Sequence, residues 1–191
     1  VFNARTSSLT LNNAGTLKRS AGTGNSDFTS TTLNNTGTVQ VDTGSQYFGG
    51  GGGNSSGGTF SIAAGSNVQL GTGAHTLADI TLSGAGRFEA EGGTVTVSNA
   101  DSSAFSGELA VSSGALSIGS DLVAISSVAI SGGTLSIESG VTVQAAKLTL
   151  TNGTLAGTGT LTLSGTGSQW SGAATGHGTT TPLAARGVVV P

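Results

Sequence analysis

Residues 131–165, SGGTLSIESGVTVQAAKLTLTNGTLAGTGTLTLSG, decide the fold. Within short runs, aliphatic residues alternate with Thr, Ser and other polar residues, which is the pattern of half-buried β-strands. The first inward residues of successive runs lie six or seven positions apart, so three strands and their turns fill a unit of about 20 residues. The residues predicted to face inward are Leu135, Ile137, Val141, Val143, Leu148, Leu150, Leu155, Leu161 and Leu163.

The same unit recurs along the whole chain. A motif of Gly, then Thr or Ala, then an aliphatic residue or Phe places its second position at Thr16, Thr38, Thr59, Thr94, Ala115, Thr134 and Thr154. All but one of the steps between these positions span roughly 20 residues. The step from Thr59 to Thr94 is much longer, which predicts an irregular coil around residues 70–88. A period near twenty is typical of β-helices and of leucine-rich repeats, but the Asn ladder and helix of the latter are missing.

These repeats predict an all-β fold, a single-stranded right-handed parallel β-helix (β-solenoid) with about three short strands per coil. An antiparallel meander does not account for a fixed period, because each of its strands would need its own hairpin turn. We expect one β-solenoid domain over residues 1–191, as a piece of a longer repeat protein. The glycine before each repeated strand is expected to need positive φ or tight backbone stacking, and Phe60, Phe88 and Phe105 are expected to point inward.

Composition excludes several classes of protein. The chain has 34 Gly, 8% charged and 4% aromatic residues, no Cys, and a net charge of -3. Without Cys there is no disulfide scaffold, thiolate metal site or Cys nucleophile. The chain has no basic patch for nucleic acid and no apolar run long enough for a membrane-spanning helix. Regularly placed Val, Ile and Leu argue against disorder.

Candidate chemistry is sparse. Arg87, Glu89 and Glu91 form the one acidic cluster with a basic neighbour, which is either a catalytic or cation site or, as we prefer, a solvated strand face in which Arg87 pairs with its neighbours. His75 and His177 are far apart in sequence and lack zinc-ligand spacing. We therefore predict no enzyme activity, no metal and no cofactor.

A glycine-rich segment supplies a second candidate site. Gly49–Gly53 follow Tyr47 and Phe48, and residues 49–56 are predicted to form a loop projecting between coils. No Lys-Ser or Lys-Thr follows, so this is not a phosphate-binding P-loop. If exposed, Tyr47 and Phe48 would stack on a sugar, with Asn54 nearby as a further ligand contact; otherwise they pack in the core.

The segments NNTGTV (34–39), SGGTLSI (131–137) and NGTLAGTGTLTLSG (152–165) resemble the Gly/Thr-rich β-helix repeats of bacterial autotransporter passengers and filamentous-haemagglutinin-like adhesins. The resemblance covers most of the chain. It implies a protein that is exported to the extracellular space or the bacterial cell surface and has no cofactor. The same repeats build stalks, adhesins and toxin shafts, so the resemblance points to a fold more sharply than to a function.

Four functions fit this sequence. The first is a non-enzymatic stalk or adhesin segment that binds a glycan or surface receptor. The alternative is a subunit of a self-assembling fibre or surface layer, because Val1, Phe2 and residues 187–191 do not resemble polar caps for the solenoid ends. An ice-binding solenoid ranks below these, since the Thr-x-Thr pairs do not recur in every coil. A polysaccharide-degrading β-helix enzyme also ranks below them, because we prefer a solvated strand face for the acids near Arg87.

Overall fold

The computed structural model describes residues 8–171, 173–174 and 179–182. These residues contain 21 β-strands and no helix. In chain order the strands are β1 (Leu9–Asn13), β2 (Thr16–Arg19), β3 (Asn25–Asn35), β4 (Thr38–Val41), β5 (Ser45–Gly50), β6 (Gly53–Ser56), β7 (Thr59–Ile62), β8 (Asn67–Leu70), β9 (Ala74–Ala78), β10 (Thr81–Gly84), β11 (Arg87–Ser98), β12 (Asp101–Phe105), β13 (Glu108–Gly119), β14 (Leu122–Ile130), β15 (Thr134–Ile137), β16 (Thr142–Leu150), β17 (Thr154–Gly157), β18 (Thr160–Leu163), β19 (Gln169–Trp170), β20 (Ala173–Ala174) and β21 (Thr179–Pro182).

The strands stack in parallel, each on the equivalent strand of the next coil. Asn67 pairs with Arg87, and Arg87 pairs in turn with Glu108, so partners lie one coil apart in sequence. The result is a β-solenoid of about eight turns. This confirms the predicted all-β parallel fold and its repeat of about 20 residues.

Each coil has three faces, which we number in order. Face 1 contains β2, β4, β7, β10, β12, the beginnings of β14 and β16, β18 and β21. Face 2 contains the beginning of β3, then β5, β8, the beginnings of β11 and β13, the ends of β14 and β16, and β19. Face 3 contains β1, the end of β3, β6, β9, the ends of β11 and β13, β15, β17 and β20.

Side chains that point inward from the three faces form one apolar core. On face 3, Val95, Leu116 and Leu135 lie above one another in register and are fully buried. Burial of each such aliphatic side chain contributes about 1.5–3 kcal/mol. The predicted inward residues of 131–165 are confirmed: seven of the nine are buried, and Val141 and Leu155 are partly buried against the core.

Phenylalanines also pack in this core. Phe60, Phe88 and Phe105 are fully buried, as predicted. The rings of Phe60 and Phe88 meet edge to face with centroids 5.8 Å apart. Phe28 and Phe48, on neighbouring rungs of face 2, are stacked at 5.4 Å. Offset and edge-to-face contacts between aromatic rings add to the stability that burial alone gives.

The prediction of an irregular coil around residues 70–88 is wrong. Thr59 pairs with Thr81 on face 1, and Ala74 pairs with Thr94 on face 3, so each residue meets its equivalent after one coil of ordinary length. The long interval between repeated motifs instead marks the point at which the motif moves from one face to another. Motifs up to Thr59 begin strands on face 1, whereas those from Thr94 onward begin strands on face 3.

The structural reasons for the repeated glycine are not the same on faces 1 and 3. Gly114, on the way into face 3, has φ +74, where glycine avoids the steric cost that other residues incur. Gly37, before face 1, is not in that region, but a Cβ there would overlap the backbone of Gly15 in the preceding coil. Both predicted reasons for the glycine are therefore confirmed: close stacking applies on both faces, since a Cβ at Gly114 would overlap the backbone of Gly93, and positive φ applies on face 3.

The glycine-rich segment 49–56 is not a projecting loop, which corrects the prediction. Gly49 and Gly50 end β5, and Gly53 begins β6, so the segment runs within the wall of the solenoid. The Gly50 amide donates to the Thr72 carbonyl at 2.7 Å. A Cβ at Gly53 would overlap the backbone of Leu33 in the coil before it, so glycine here allows the coils to approach closely.

Candidate binding groove on face 2

Face 2 carries two outward columns in which long polar side chains are frequent. The first column is Asn25, Ser45, Asn67, Arg87, Glu108, Ser127 and Lys147. The second is Asp27, Tyr47, Gln69, Glu89, Ala110, Ala129 and Thr149. Parallel in-register pairing places these residues about 4.8 Å from their neighbours along the axis, so their side chains interact from coil to coil.

Glu89 is the buried acid of this face, with 5% of its surface exposed. Its carboxylate accepts hydrogen bonds from Asn67 Nδ2 at 2.9 Å and Gln69 Nε2 at 3.2 Å, and it pairs with Arg87 Nη2 at 2.8 Å. A buried carboxylate is tolerated when donors surround it in this way. Glu89 is therefore a structural group in the wall of the solenoid.

Arg87 is shared between two carboxylates. Besides Glu89, its guanidinium pairs with Glu108 through Nη1 at 3.1 Å. Glu108 also accepts a hydrogen bond from Ser127 Oγ at 2.8 Å. The predicted pairing of Arg87 with its neighbours is thus confirmed, and both terminal nitrogens of its guanidinium are engaged.

Glu91 lies two residues beyond Glu89 and is exposed. It accepts a hydrogen bond from Gln69 Nε2 at 2.5 Å. Partial desolvation, reinforced by the negative charge of Glu89, raises the pKa of Glu91, and Arg87 opposes the shift. Glu91 therefore holds its proton to a higher pH than a glutamate in water does.

The side chain of Tyr47 packs over two glycines. Gly49 follows it on the same strand and Gly71 lies on the next rung, and both are buried. A Cβ at either glycine would overlap the phenol end of Tyr47, so the ring occupies the space that two side chains would otherwise take. The ring is half-buried and is held against the wall.

A groove of about 230 Å³ opens around this ring. It is smaller than the pockets of about 300–1,000 Å³ that enclose drug-sized ligands, so it suits a small chemical group. Its lining combines one aromatic ring, two hydroxyls, two amides and two carboxylates. The lining residues are Asn25, Asp27, Thr29, Tyr47, Gln69 and Glu91.

The structure brings together some of the predicted site residues and separates others. Tyr47 and Glu91 line the groove, and Arg87 and Glu89 lie beside it on the same face. Phe48 is fully buried in the core, so its prediction as a ligand contact is wrong: it alternates with Tyr47 and points inward. Asn54 lies on β6 of face 3, a different face from the groove.

Sequence reasoning missed four residues of the groove, namely Asn25, Asp27, Thr29 and Gln69. The signal that could have found them is register. Asp27 pairs with Tyr47, and Tyr47 pairs with Gln69, so each lies one coil beyond the residue before it. Outward residues one coil apart lie side by side in a solenoid.

The two histidines do not contribute a site. His75 is 2% exposed and points into the core of face 3, where Val95 follows it in register. Burial lowers the pKa of His75, although backbone hydrogen bonds to Gly71 and Thr72 oppose the shift. His177 lies outside the described residues. Within the part of the chain that the structure describes, no group of three or more His, Asp or Glu residues is placed to hold a metal ion.

No protein-family model matches this chain, and no curated protein or solved structure matches it significantly. Over residues 8–171, 173–174 and 179–182, we find no helix of the length and apolarity that crossing a membrane requires. The stacked β-solenoid is consistent with β-helix repeats of the kind that the sequence resembles.

Proposed function

We propose that this chain is a non-enzymatic shaft segment of a bacterial protein that is exported to the cell surface, and that face 2 presents a ligand-binding groove. The observation that carries the proposal is the unbroken stack of coils. Inward aliphatic and aromatic side chains from successive coils form one continuous core. A repeat protein of this kind is quasi-one-dimensional, and its length follows the number of its repeats.

Main-chain hydrogen bonds along the axis support a stiff rod. The Thr59 amide donates to Gly37 at 2.8 Å, and the Thr81 amide donates to Gly58 at 2.9 Å, each across one coil boundary. Such bonds recur on all three faces, so bending the rod would stretch many of them at once. Stiffness of this kind is useful to a protein that must hold a binding surface away from a cell.

Glu89, the buried acid of face 2, has a structural role rather than a catalytic one. A glycoside hydrolase needs two carboxyl groups that are both free to reach the substrate. Glu89 is instead buried among Asn67, Gln69 and Arg87. The best-supported acid of the cluster is thus used to hold the wall together.

The sequence resemblance and the lack of cysteine support the proposed location. Both fit a protein that crosses membranes unfolded and has no thiols to cross-link on the way. The test is to label intact cells of the bacterium that encodes the chain with antibody against residues 8–171. We expect labelling without permeabilisation, and labelling only after permeabilisation would contradict the proposal.

A self-assembling fibre subunit is the second candidate. A parallel rung at the end of a stack offers main-chain donors and acceptors on its open side. Among the described residues β1 pairs with β3 alone, so its other edge has no partner strand within this part of the chain. Residues 1–7 and 183–191, on which the expectation of uncapped ends depends, lie outside the described residues.

Small-angle X-ray scattering with light scattering separates the two candidates. A shaft segment should be an elongated monomer whose mass does not change with concentration. Open-ended polymers that grow with concentration would favour the fibre. A compact, globular particle would contradict both.

A further inference from the structure

We propose that the groove around Tyr47 binds a neutral glycan and rejects glycans that carry sialic acid, uronic acid or sulfate. This inference deepens the ligand-presenting role proposed above and rests on it. It follows from three properties of the groove: a fixed aromatic ring, polar groups of mixed hydrogen-bonding character, and an excess of negative charge.

The ring of Tyr47 is preorganised for stacking. Gly49 and Gly71 leave room for it against the wall, and the ring also lines the groove. The C–H face of a sugar ring packs on an aromatic ring, and little conformational entropy is lost when that ring is already held in place. A tyrosine whose neighbours on the face carried side chains could not lie against the wall in this way.

The polar groups around the ring match hydroxyls. The Asp27 carboxylate has no hydrogen-bond or ion-pair partner among residues 8–171, so it can accept from a sugar hydroxyl. Asn25 offers an amide donor and a carbonyl acceptor on the same side of the ring. A ligand that both donates and accepts satisfies this mixture, which a Lys or Arg side chain of a peptide, having donors only, does not.

The charge of the groove decides the class of glycan. Of the charged groups that act on Glu91, Glu89 and Asp27 are acidic and Arg87 is basic. Arg87 is already paired with Glu89 and Glu108. An anionic glycan would therefore meet uncompensated negative charge, whereas a neutral glycan would not be repelled.

The experiment is a glycan array probed with the purified chain. It compares neutral galactose-, glucose- and N-acetylglucosamine-terminated oligosaccharides with sialylated, sulfated and glucuronate-bearing versions of the same structures, and with a Lys-rich peptide. We expect binding to neutral glycans alone. Tyr47→Ala should weaken that binding about tenfold or more, whereas Tyr47→Phe should keep most of it because the ring remains.

Two further variants test the charge argument. Asp27→Asn and Glu91→Gln keep the shape of the groove but remove negative charge, so the double variant should gain binding to anionic glycans. Trp170→Ala is the control, because Trp170 is the exposed aromatic of β19, beyond the groove along the axis. Its glycan binding should match that of the unaltered chain.

Three results would overturn the inference: no neutral glycan bound, binding confined to anionic glycans or the Lys-rich peptide, or undiminished binding by Tyr47→Ala. If Tyr47→Ala fails to fold by circular dichroism, the isosteric double variant carries the test. None of these outcomes changes the particle shape or the cell-surface labelling, so a failure of the groove is distinguishable from a failure of the shaft proposal.

Discussion

Faces 2 and 3 share one core but present different outer surfaces. Face 2 shows charged and amide side chains that hydrogen bond from coil to coil, among them the cluster of Arg87, Glu89 and Glu108. The outward columns of face 3 contain only Thr, Ser and Ala over five rungs. They are Ala74, Thr94, Ala115, Thr134 and Thr154, with Thr76, Thr96, Ser117, Ser136 and Ala156.

This comparison shows that the inward positions hold the solenoid together, whereas the outward positions can vary. Inward columns are mostly apolar on both faces, because each rung must cover the core, and the exceptions include Gln46 on face 2 and His75 on face 3. Outward positions make few demands on the fold, so small residues suffice on face 3. Outside those five rungs, face 3 also has a column of Asn12, Asn34 and Asn54 with hydrogen bonds from coil to coil. The long polar side chains of face 2 support Glu89, and the proposed ligand binding would account for the others.

The largest effect is expected at Glu89. Glu89→Gln should cost about 2 kcal/mol in the free energy of unfolding, because the new amide places a donor among donors and leaves Arg87 with Glu108 alone. Urea denaturation measures this. Glu91→Gln is the matched control and should cost nothing, since the raised pKa of Glu91 shows that its charged form is disfavoured in the folded chain. Equal losses for the two variants would contradict the distinction.

The next effect concerns the seat of Tyr47. Gly71→Ala should cost about 1–2 kcal/mol, because the added methyl overlaps the Tyr47 ring and the ring must move. In a Tyr47→Ala background the same substitution should cost much less. A double-mutant cycle by thermal or urea unfolding measures the coupling, and an unchanged cost would show that the ring is not seated on Gly71.

Face 3 carries a pH dependence inside the core. His75 has a pKa below its ordinary 6.5, so its contribution to stability is fully present above pH 6.5. As the pH falls from 6.5 towards the folded pKa, the unfolded chain gains a proton that the folded chain resists, and stability decreases by about 1 kcal/mol per pH unit.

Urea midpoints at pH 7.5 and 5.5 test this dependence against His75→Leu, which places on this rung the residue type found at Leu116 in the same column. The variant should lose the decline. Because the two proteins differ at this residue alone, an identical decline in the variant would rule out His75 as its source.

The smallest effect is expected on the outer surface of face 3. Thr94→Ser and Thr134→Ser should each change the free energy of unfolding by less than about 0.5 kcal/mol, because these side chains lie on the polar surface of the wall. Differential scanning calorimetry is sufficient to detect a larger change. A loss above about 1 kcal/mol would mean that the outer column of face 3 stabilises the stack after all.

The period and the core were predictable because alternation along one strand reports burial directly. Leu135 and Ile137, flanked by Thr and Ser, are buried as expected. The assignment of strands to faces was not predictable, because the same Gly-Thr-aliphatic motif opens strands on face 1 and on face 3. The glycine of this motif has positive φ on face 3 but not on face 1, and the sequence does not indicate which φ a glycine adopts.

The groove was harder to predict because its residues come from different coils. The burial of Glu89 depends on Asn67 and Gln69, each contributed by the coil before it. The run Gln46, Tyr47, Phe48 also hides its direction: Gln46 points inward and donates to the Ser26 carbonyl at 2.9 Å. A polar residue on the inner side conceals the alternation that would have placed Phe48 in the core.

Each rung pairs with rungs one coil away, so the length of the solenoid can change by the gain or loss of whole repeats. Ala115 pairs with Thr94 before it and with Thr134 after it. Loss of residues 115–133 would bring Thr134 onto Thr94 and leave every other rung with an equivalent partner. Recombination between such repeats would thus shorten or extend the molecule in steps of about 4.8 Å without redesign of its interior. Reach could then change between generations while the groove on face 2 stays the same.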